Sequence, residues 1–200
     1  MALATGAGTT QAFEAVVLAA GLGARFGGGK LLAPWRGGVL LDAALASALA
    51  GPVRSVTVVT GADAAAVALA ARAFDGRIHI VNAADYAQGM GASLRAGIAS
   101  LPADAAGAFV FLGDMPRVPP AVLRPMAQAV EAGAPAAAPM FQGRRGNPVL
   151  LGRALFPDLL KLSGDEGARQ VLQGLGDRLA LIEAPDDGVL FDVDRREDLA

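Results

Sequence analysis

Three short stretches hold residues whose types and spacing could do chemistry on a phosphorylated ligand. Gly21-Leu-Gly-Ala-Arg-Phe-Gly-Gly-Gly-Lys30 crowds five glycines and two cations into ten residues. Glycine tolerates positive φ, so successive backbone N–H groups can face one anion, and Arg25 and Lys30 supply the charge that such a nest lacks. Neither common phosphate spacing is met. A dinucleotide fingerprint needs glycine where Phe26 stands; a P-loop needs glycine at Ala24 and Ser or Thr where Leu31 follows Lys30. The plainer alternative is a glycine-rich surface turn with two solvated cations. In the second stretch, Phe109-Val-Phe-Leu-Gly-Asp-Met-Pro116, an apolar run ends in Asp114. Mg²⁺ takes one or two carboxylates plus phosphate oxygens and keeps several waters, so a single Asp suffices. A turn aspartate with local hydrogen bonds is the ordinary alternative. The third stretch, Val189-Leu-Phe-Asp-Val-Asp194, alternates as a strand does, with Asp192 and Asp194 expected on one face. Two like charges there repel unless a cation or solvent separates them. Charges guarding an exposed edge strand would explain them equally.

These residues need a scaffold, and the alternation of apolar runs describes one. Strands are expected at Ala15–Ala20, Ser55–Thr60, Arg77–Val81, Ala108–Leu112, Ala136–Met140, Pro148–Leu151 and Leu179–Ile182. Helices are expected at Leu40–Ala50, Asp63–Ala73, Gly91–Ser100, Pro120–Ala132, Ala154–Lys161 and Ala168–Gly174. The first, second and fourth strands are nearly continuous apolar runs, as in a sheet covered on both faces. Strand–helix alternation predicts parallel βαβ units with right-handed crossovers, an α/β fold. Pro120 suits a first helical turn and Gly133 a C-cap. In such a sheet ligands bind beyond the carboxyl ends of the strands, where Gly21–Lys30 and Asp114 fall.

The composition narrows the function classes. At 200 residues, 54% hydrophobic and 18% charged, the chain is expected to form one domain over 13–200 after a flexible segment, 1–12. A net charge of −2 gives no electrostatic reason to expect nucleic acid or a membrane surface as partner. Zero cysteines exclude disulfides, thiolate catalysis and Cys-based metal centres. Met1–Gln11 contains no Lys or Arg, hence no basic n-region of a secretory signal, and a cytoplasmic location is expected. The single histidine, His79, sits in an apolar run and reads as a packed residue. Trp35 reads as a cover for the glycine loop or the core edge, and Asn82 as a weak ligand candidate at a strand end.

Three further segments could hold a second substrate. Gln88-Gly-Met-Gly-Ala-Ser-Leu-Arg-Ala-Gly97 opens a helix with Gly89, Gly91 and Ser93, offering N–H groups to an anion or a base carbonyl; Ser93 as a cap and Met90 as core filling are the bland reading. Gln142-Gly-Arg-Arg-Gly-Asn-Pro-Val149 sets two arginine forks before a strand, so Arg144 or Arg145 could grip a phosphate, unless both are solvated. Leu162-Ser-Gly-Asp-Glu-Gly-Ala-Arg169 places Asp165 and Glu166 at a helix start, which is ordinary capping chemistry.

Taken in order, these motifs resemble the molybdenum cofactor nucleotidyltransferase family. Leu18-Ala-Ala-Gly-Leu-Gly-Ala-Arg-Phe-Gly-Gly-Gly-Lys-Leu is similar to its LAAGxGxRxG…K signature, and Gly113-Asp-Met-Pro116 to its metal-binding element. Gly89-Met-Gly-Ala-Ser-Leu-Arg-Ala-Gly97 resembles the GMGxSLxAG of cytidylyltransferases acting on molybdopterin, whereas guanylyl-transferring relatives carry a GPLAG-like phrase. The resemblance implies a three-layer α/β/α Rossmann-like fold with a mostly parallel sheet, and an enzyme that joins an NTP, CTP favoured, to a phosphorylated pterin with release of pyrophosphate. It implies nucleotide contacts from Leu18, Ala19, Ala20, Gly21, Gly23, Gly89 and Ser93, with Arg25 and Lys30 on the triphosphate. It implies Mg²⁺ on Asp114 and Asp194, with Asp192 in reserve. Acceptor contacts would come from Arg144, Arg145, Asn147, Asp165 and Arg169, and a molybdoenzyme or its chaperone would receive the product.

Two departures stand out. Asn147 replaces the histidine of a GRRGHPV-like phrase, and Asp194-Arg-Arg-Glu-Asp198 lacks the Thr-Pro of a DxDTPED-like segment, leaving Asp194 itself as a candidate N-cap. A guanylyl- or sugar-phosphate-transferring enzyme on the same fold, or a non-catalytic cofactor-delivery protein, are the alternatives. A nicotinamide oxidoreductase is disfavoured by Phe26.

Overall fold

The computed structural model describes residues 12–164 and 167–199, so the expectations for residues 1–11, Asp165 and Glu166 lie outside the described residues. From the amino end run β1 (Phe13–Ala19), the small pair β2 (Pro34–Trp35) and β3 (Gly38–Val39), α1 (Leu40–Leu49), β4 (Val56–Thr60), α2 (Ala64–Phe74) and β5 (His79–Asn82). Then follow α3 (Met90–Ala99), β6 (Gly107–Leu112), α4 (Leu123–Glu131), β7 (Ala136–Phe141), β8 (Arg144–Arg145) and β9 (Val149–Gly152). The single turn α5 (Phe156–Leu159), α6 (Arg169–Leu175) and β10 (Leu179–Glu183) complete the regular elements.

The main sheet has the order β10-β7-β9-β6-β1-β4-β5, with β8 paired to β7. β1 is parallel to β4 and β6, β4 to β5, and β7 to β10. β9 runs antiparallel to both β6 and β7, so the sheet is mostly rather than wholly parallel, as expected. The cause is local: too few residues separate β7 from β9 for a crossover helix, and a hairpin-like return reverses the chain. The chain winds from β1 towards β5, then jumps back to place β6 on the other side of β1. That reversal opens a crevice beyond the carboxyl ends of β1 and β6.

Alternation along β1 feeds two cores. Ala15, Val17 and Ala19 join Leu41, Leu45, Phe109, Phe111 and Met126 on one face, while Val16 joins Leu94, Ile98, Val110, Leu151 and Leu172 on the other. The fold is thus a three-layer α/β/α sandwich. α3 lies directly on the sheet because residue 97 is glycine: a Cβ there would come within 2.6 Å of Val16 Cγ1 and 3.0 Å of Val59 Cγ2. One charged residue is buried in β1. Glu14 accepts from Arg54 Nη2 at 2.5 Å and from the Ser55 hydroxyl at 2.6 Å, and Arg54 reaches on to Asp104.

Two expectations fail on local grounds. His79 is exposed, because β5 is the edge strand and is only half covered. Val189–Asp194 forms no strand. A 3-10 turn at Asp187–Val189 leads into an irregular segment tied to neighbouring loops by the Val193 N–H on the Asp114 carbonyl at 3.0 Å and the Asn147 N–H on the Val189 carbonyl at 2.9 Å. Val193 is fully buried in a separate small core with Phe26, Ala33, Trp35 and Leu40, so packing rather than a ladder holds the segment. Pro120 stands in the first helical turn as expected, a 3-10 turn that continues directly as α4.

Candidate active site

The glycine loop leaves β1 at the crevice and curls onto a single carbonyl. The N–H groups of Phe26, Gly27 and Gly28 all donate to the Gly23 oxygen, at 3.0–3.2 Å. Gly27, Gly28 and Gly29 have φ of +92°, +88° and +62°, which explains why side-chain-bearing residues are absent there. The N–H groups of Phe26, Gly27 and Gly28 are therefore spent on folding the loop rather than on an anion. Phe26 plugs the loop into the core it shares with Trp35 and Val193, which is the covering role expected of Trp35.

Each cation of the loop meets a carboxylate distant in sequence. Lys30 Nζ donates to Asp114 Oδ2 at 2.6 Å, with side chains only 13% and 24% exposed. Arg25 Nη1 donates to Asp194 Oδ2 at 2.5 Å in a more open setting. Asp194 is not an N-cap. Instead the Asp198 carboxylate accepts from the N–H groups of Asp194 and Arg195, at 2.8 and 2.7 Å, and so fixes the turn that aims Asp194. Asp192 is exposed as a residue, yet its carboxyl is partly withdrawn from water. That desolvation first, then the charges of Asp114 and Asp194, push its pKa up.

Among the described residues no group of three Asp, Glu, His or Cys side chains forms a ready-made metal cage. The donor set is that of a hard cation binding through one or two carboxylates and completing its shell with ligand oxygens and water, and Mg²⁺ or Mn²⁺ fits it. Asp114, Asp194 and Asp192 could hold such an ion.

A cleft of about 350 Å³ opens beside this charged end. It is lined by Leu18, Ala19, Ala20, Gly21, Gly23, Lys30, Gly89, Ser93 and Asp114, all singled out in the sequence. Arg25 is absent from it and faces a shallower recess with Arg195 and Arg196. Ser93 is the fourth residue of α3 rather than its cap, and it is 4% exposed. The Gly91 N–H, expected to be free, is taken by the Gly164 carbonyl at 2.9 Å. The cleft also contains residues the sequence reading missed: Leu22, Tyr86 and Met90. Met90 is 46% exposed rather than core filling. Tyr86, the only tyrosine of the chain, is seated on Gly61, where a Cβ would lie 2.5 Å from its ring.

A second cavity of about 540 Å³ adjoins the first and shares Leu18, Met90 and Leu112 with it. Arg145, Asn147 and Arg169 line it. Arg144 does not. Neighbouring residues of β8 point to opposite faces, and Arg144 lines a separate recess with Phe141 and Phe191. Asn82 lines neither cavity, and Asp165 lies outside the described residues.

A doubly wound sheet with an apolar cleft, a Lys–Asp pair and a second cavity at its switch point has the layout of a nucleotidyltransferase. Residues 15–180 match the MobA-like NTP transferase domain, and the chain belongs to that family. It is 27% identical over 188 residues to the molybdenum cofactor cytidylyltransferase of Escherichia coli K12, covering 94% of each chain. It is 34% identical over 193 residues to nicotine blue oxidoreductase of Paenarthrobacter nicotinovorans, covering 92% of this chain and 93% of that one. Rv0371c of Mycobacterium tuberculosis H37Rv superimposes with a TM-score of 0.82 at 29% identity, over 95% of this chain and 96% of that one. The same protein has been solved in complex with manganese, with a TM-score of 0.72 at 28% identity over 88% and 89% of the two chains, so a divalent metal binds within this family. Among the described residues no helix is long and apolar enough to cross a membrane.

Proposed function

We propose that this nucleotidyltransferase moves CMP from CTP to the terminal phosphate of a molybdopterin-type molybdenum cofactor, releasing pyrophosphate. The observation that carries this reading is the pair of adjoining cavities: one apolar with Lys30 and Asp114 at its charged end, the other bearing Arg145, Asn147 and Arg169. The E. coli cytidylyltransferase, similar over nearly the whole chain, supports the choice of CTP and acceptor.

In this reading the base and ribose lie against Leu18–Gly21, Gly23, Gly89 and Ser93. Arg145, Asn147 and Arg169 orient the acceptor, whose phosphate oxygen forms a bond to the α-phosphorus. The α–β phosphoanhydride bond breaks and its electron pair leaves with pyrophosphate. The acceptor is already anionic, so no strong general base is required, and catalysis rests on positioning and charge neutralisation. Mg²⁺, held by Asp114 with Asp194 or Asp192, would supply further neutralisation of phosphate charge. Lys30 and Arg25 would hold the triphosphate, and Asp114 and Asp194 the cation. We place the reaction in the cytoplasm, with a molybdoenzyme or its chaperone as recipient of the product.

The test is pyrophosphate release with Mg²⁺ and molybdenum cofactor, offering CTP, GTP, ATP and UTP separately. Release with CTP is expected. Release with GTP alone would retain the transfer and overturn the base assignment. Silence with all four from folded protein would overturn the acceptor, or catalysis itself in favour of a cofactor-delivery role.

A further inference from the structure

The wall between the two cavities is the first turn of α3, and one side chain ties it down on both sides. Arg95 donates through Nη2 to the Asp85 carboxylate and through Nη1 to the Leu162 carbonyl, the latter at 2.7 Å. Asp85 directly precedes Tyr86 and Ala87, which line the first cleft. Leu162 opens the stretch from which Ala168 and Arg169 line the second cavity. Two further contacts join that stretch to α3. The Gly91 N–H is held by the Gly164 carbonyl at 2.9 Å, and a Cβ on Gly167 would lie 3.1 Å from Met90 Sδ. Met90 itself lines both cavities.

Nothing in the proposed transfer uses Arg95 directly. The pair is only partly buried, and its significance is geometric: the fork joins partners 10 and 67 residues away in sequence. A planar guanidinium can serve two such acceptors at once, whereas a lysine ammonium at the end of its stem is a point charge.

We propose that Arg95 is a positioning residue that makes the two cavities bind cooperatively. It fixes Asp85, next to the Tyr86 wall of the first cleft, and Leu162, six residues before the Ala168 wall of the second, to the same helix, so ligand-induced ordering of one wall also orders the other. This rests on reading the cavities as nucleotide and acceptor sites. Coupling between two sites is reciprocal, and its usual size is on the order of 5- to 150-fold in affinity.

The experiment uses a CTP analogue with a methylene group between the α- and β-phosphorus atoms, which binds without transfer. Its dissociation constant is measured on the full chain with Mg²⁺, with and without saturating molybdenum cofactor. In the wild-type chain the cofactor should tighten the analogue at least about 5-fold. In Arg95→Lys and Asp85→Asn that ratio should fall to about 1, and amide exchange at Gly91 should quicken. Arg95→Ala is the harsher variant, and the two milder ones decide the matter if it fails to fold. A wild-type ratio of 1, or an unchanged ratio in both milder variants, overturns the proposal. Failure of the wild-type chain to bind the analogue at all overturns the nucleotide reading, and this inference with it.

Discussion

Replacing Gly97 with alanine sets two effects of opposite sign against each other. Alanine is the better helix former by about 1 kcal/mol, so propensity alone predicts a more stable protein. The packing says otherwise. The added Cβ would stand 2.6 Å from Val16 Cγ1 and 3.0 Å from Val59 Cγ2, whereas ordinary contact begins at 3.4 Å. Val16 and Val59 are both fully buried, and β-branched side chains are stiff about χ1, so neither gives way cheaply. α3 must therefore lift from the sheet by on the order of 1 Å, and overpacking of this kind costs about 1–3 kcal/mol. The expected net result is a loss of about 1 kcal/mol, within a range of roughly 0–2, in urea unfolding. Because α3 carries Gly89, Met90, Ser93 and Arg95, a shift of that size should also slow pyrophosphate release by about 100-fold. Gly174→Ala is the control: it lies in α6, and its Cβ would meet nothing within 4 Å, so stability should rise by about 0.8 kcal/mol. A stabilised Gly97→Ala with full turnover would refute the close-packing argument.

Other outcomes follow from the same geometry. Asp114→Ala should lower Mg²⁺-dependent turnover by at least about 100-fold while circular dichroism stays native, and full activity in that variant would sink the metal assignment. Arg145→Ala should raise the KM for the acceptor about 10-fold, whereas Arg144→Ala should leave it unchanged, since only Arg145 lines the second cavity. Equal effects from the two would contradict the alternation along β8. At Asp75, the Arg77 guanidinium first and its backbone N–H second hold the carboxyl at about 2, below the roughly 3.9 of an unfolded chain. A depressed folded value contributes stability at pH above about 4, and that contribution is lost as pH falls through about 2. Asp75→Asn should therefore narrow the difference in urea midpoint between pH 5 and pH 2; an unchanged difference would show that Asp75 contributes no stability over that range.

What was legible in the sequence was whatever a short stretch decides for itself. Continuous apolar runs at Val16–Leu18 and Phe109–Leu112 mark strands covered on both faces, and both are central in the sheet. Their carboxyl ends then place Gly21–Lys30 and Asp114 at the crevice without further information. Strand direction was less legible. Pro148–Leu151 looks like any other apolar run, and only the shortness of its link to β7 shows that it must turn back. The Val189–Asp194 alternation was misleading for a related reason. Alternation records that Val193 is buried and its neighbours are not, but a residue can be buried against Phe26 and Trp35 without any ladder beneath it.

Pairings between distant segments left no local trace, and the chemistry of the site consists of them. Lys30 with Asp114 and Arg25 with Asp194 join residues 84 and 169 positions apart, and no spacing rule reaches that far. The motif reading assigned the cations to phosphate and the carboxylates to metal, as though the two sets were independent. The fold makes them each other's partners. Neutralising Lys30 would then leave the half-buried Asp114 without its partner as well as removing a phosphate contact. Single substitutions on either side therefore report on both, and a double-mutant cycle of Lys30→Met with Asp114→Asn is the comparison that separates the ion pair from the contacts each residue makes to ligand.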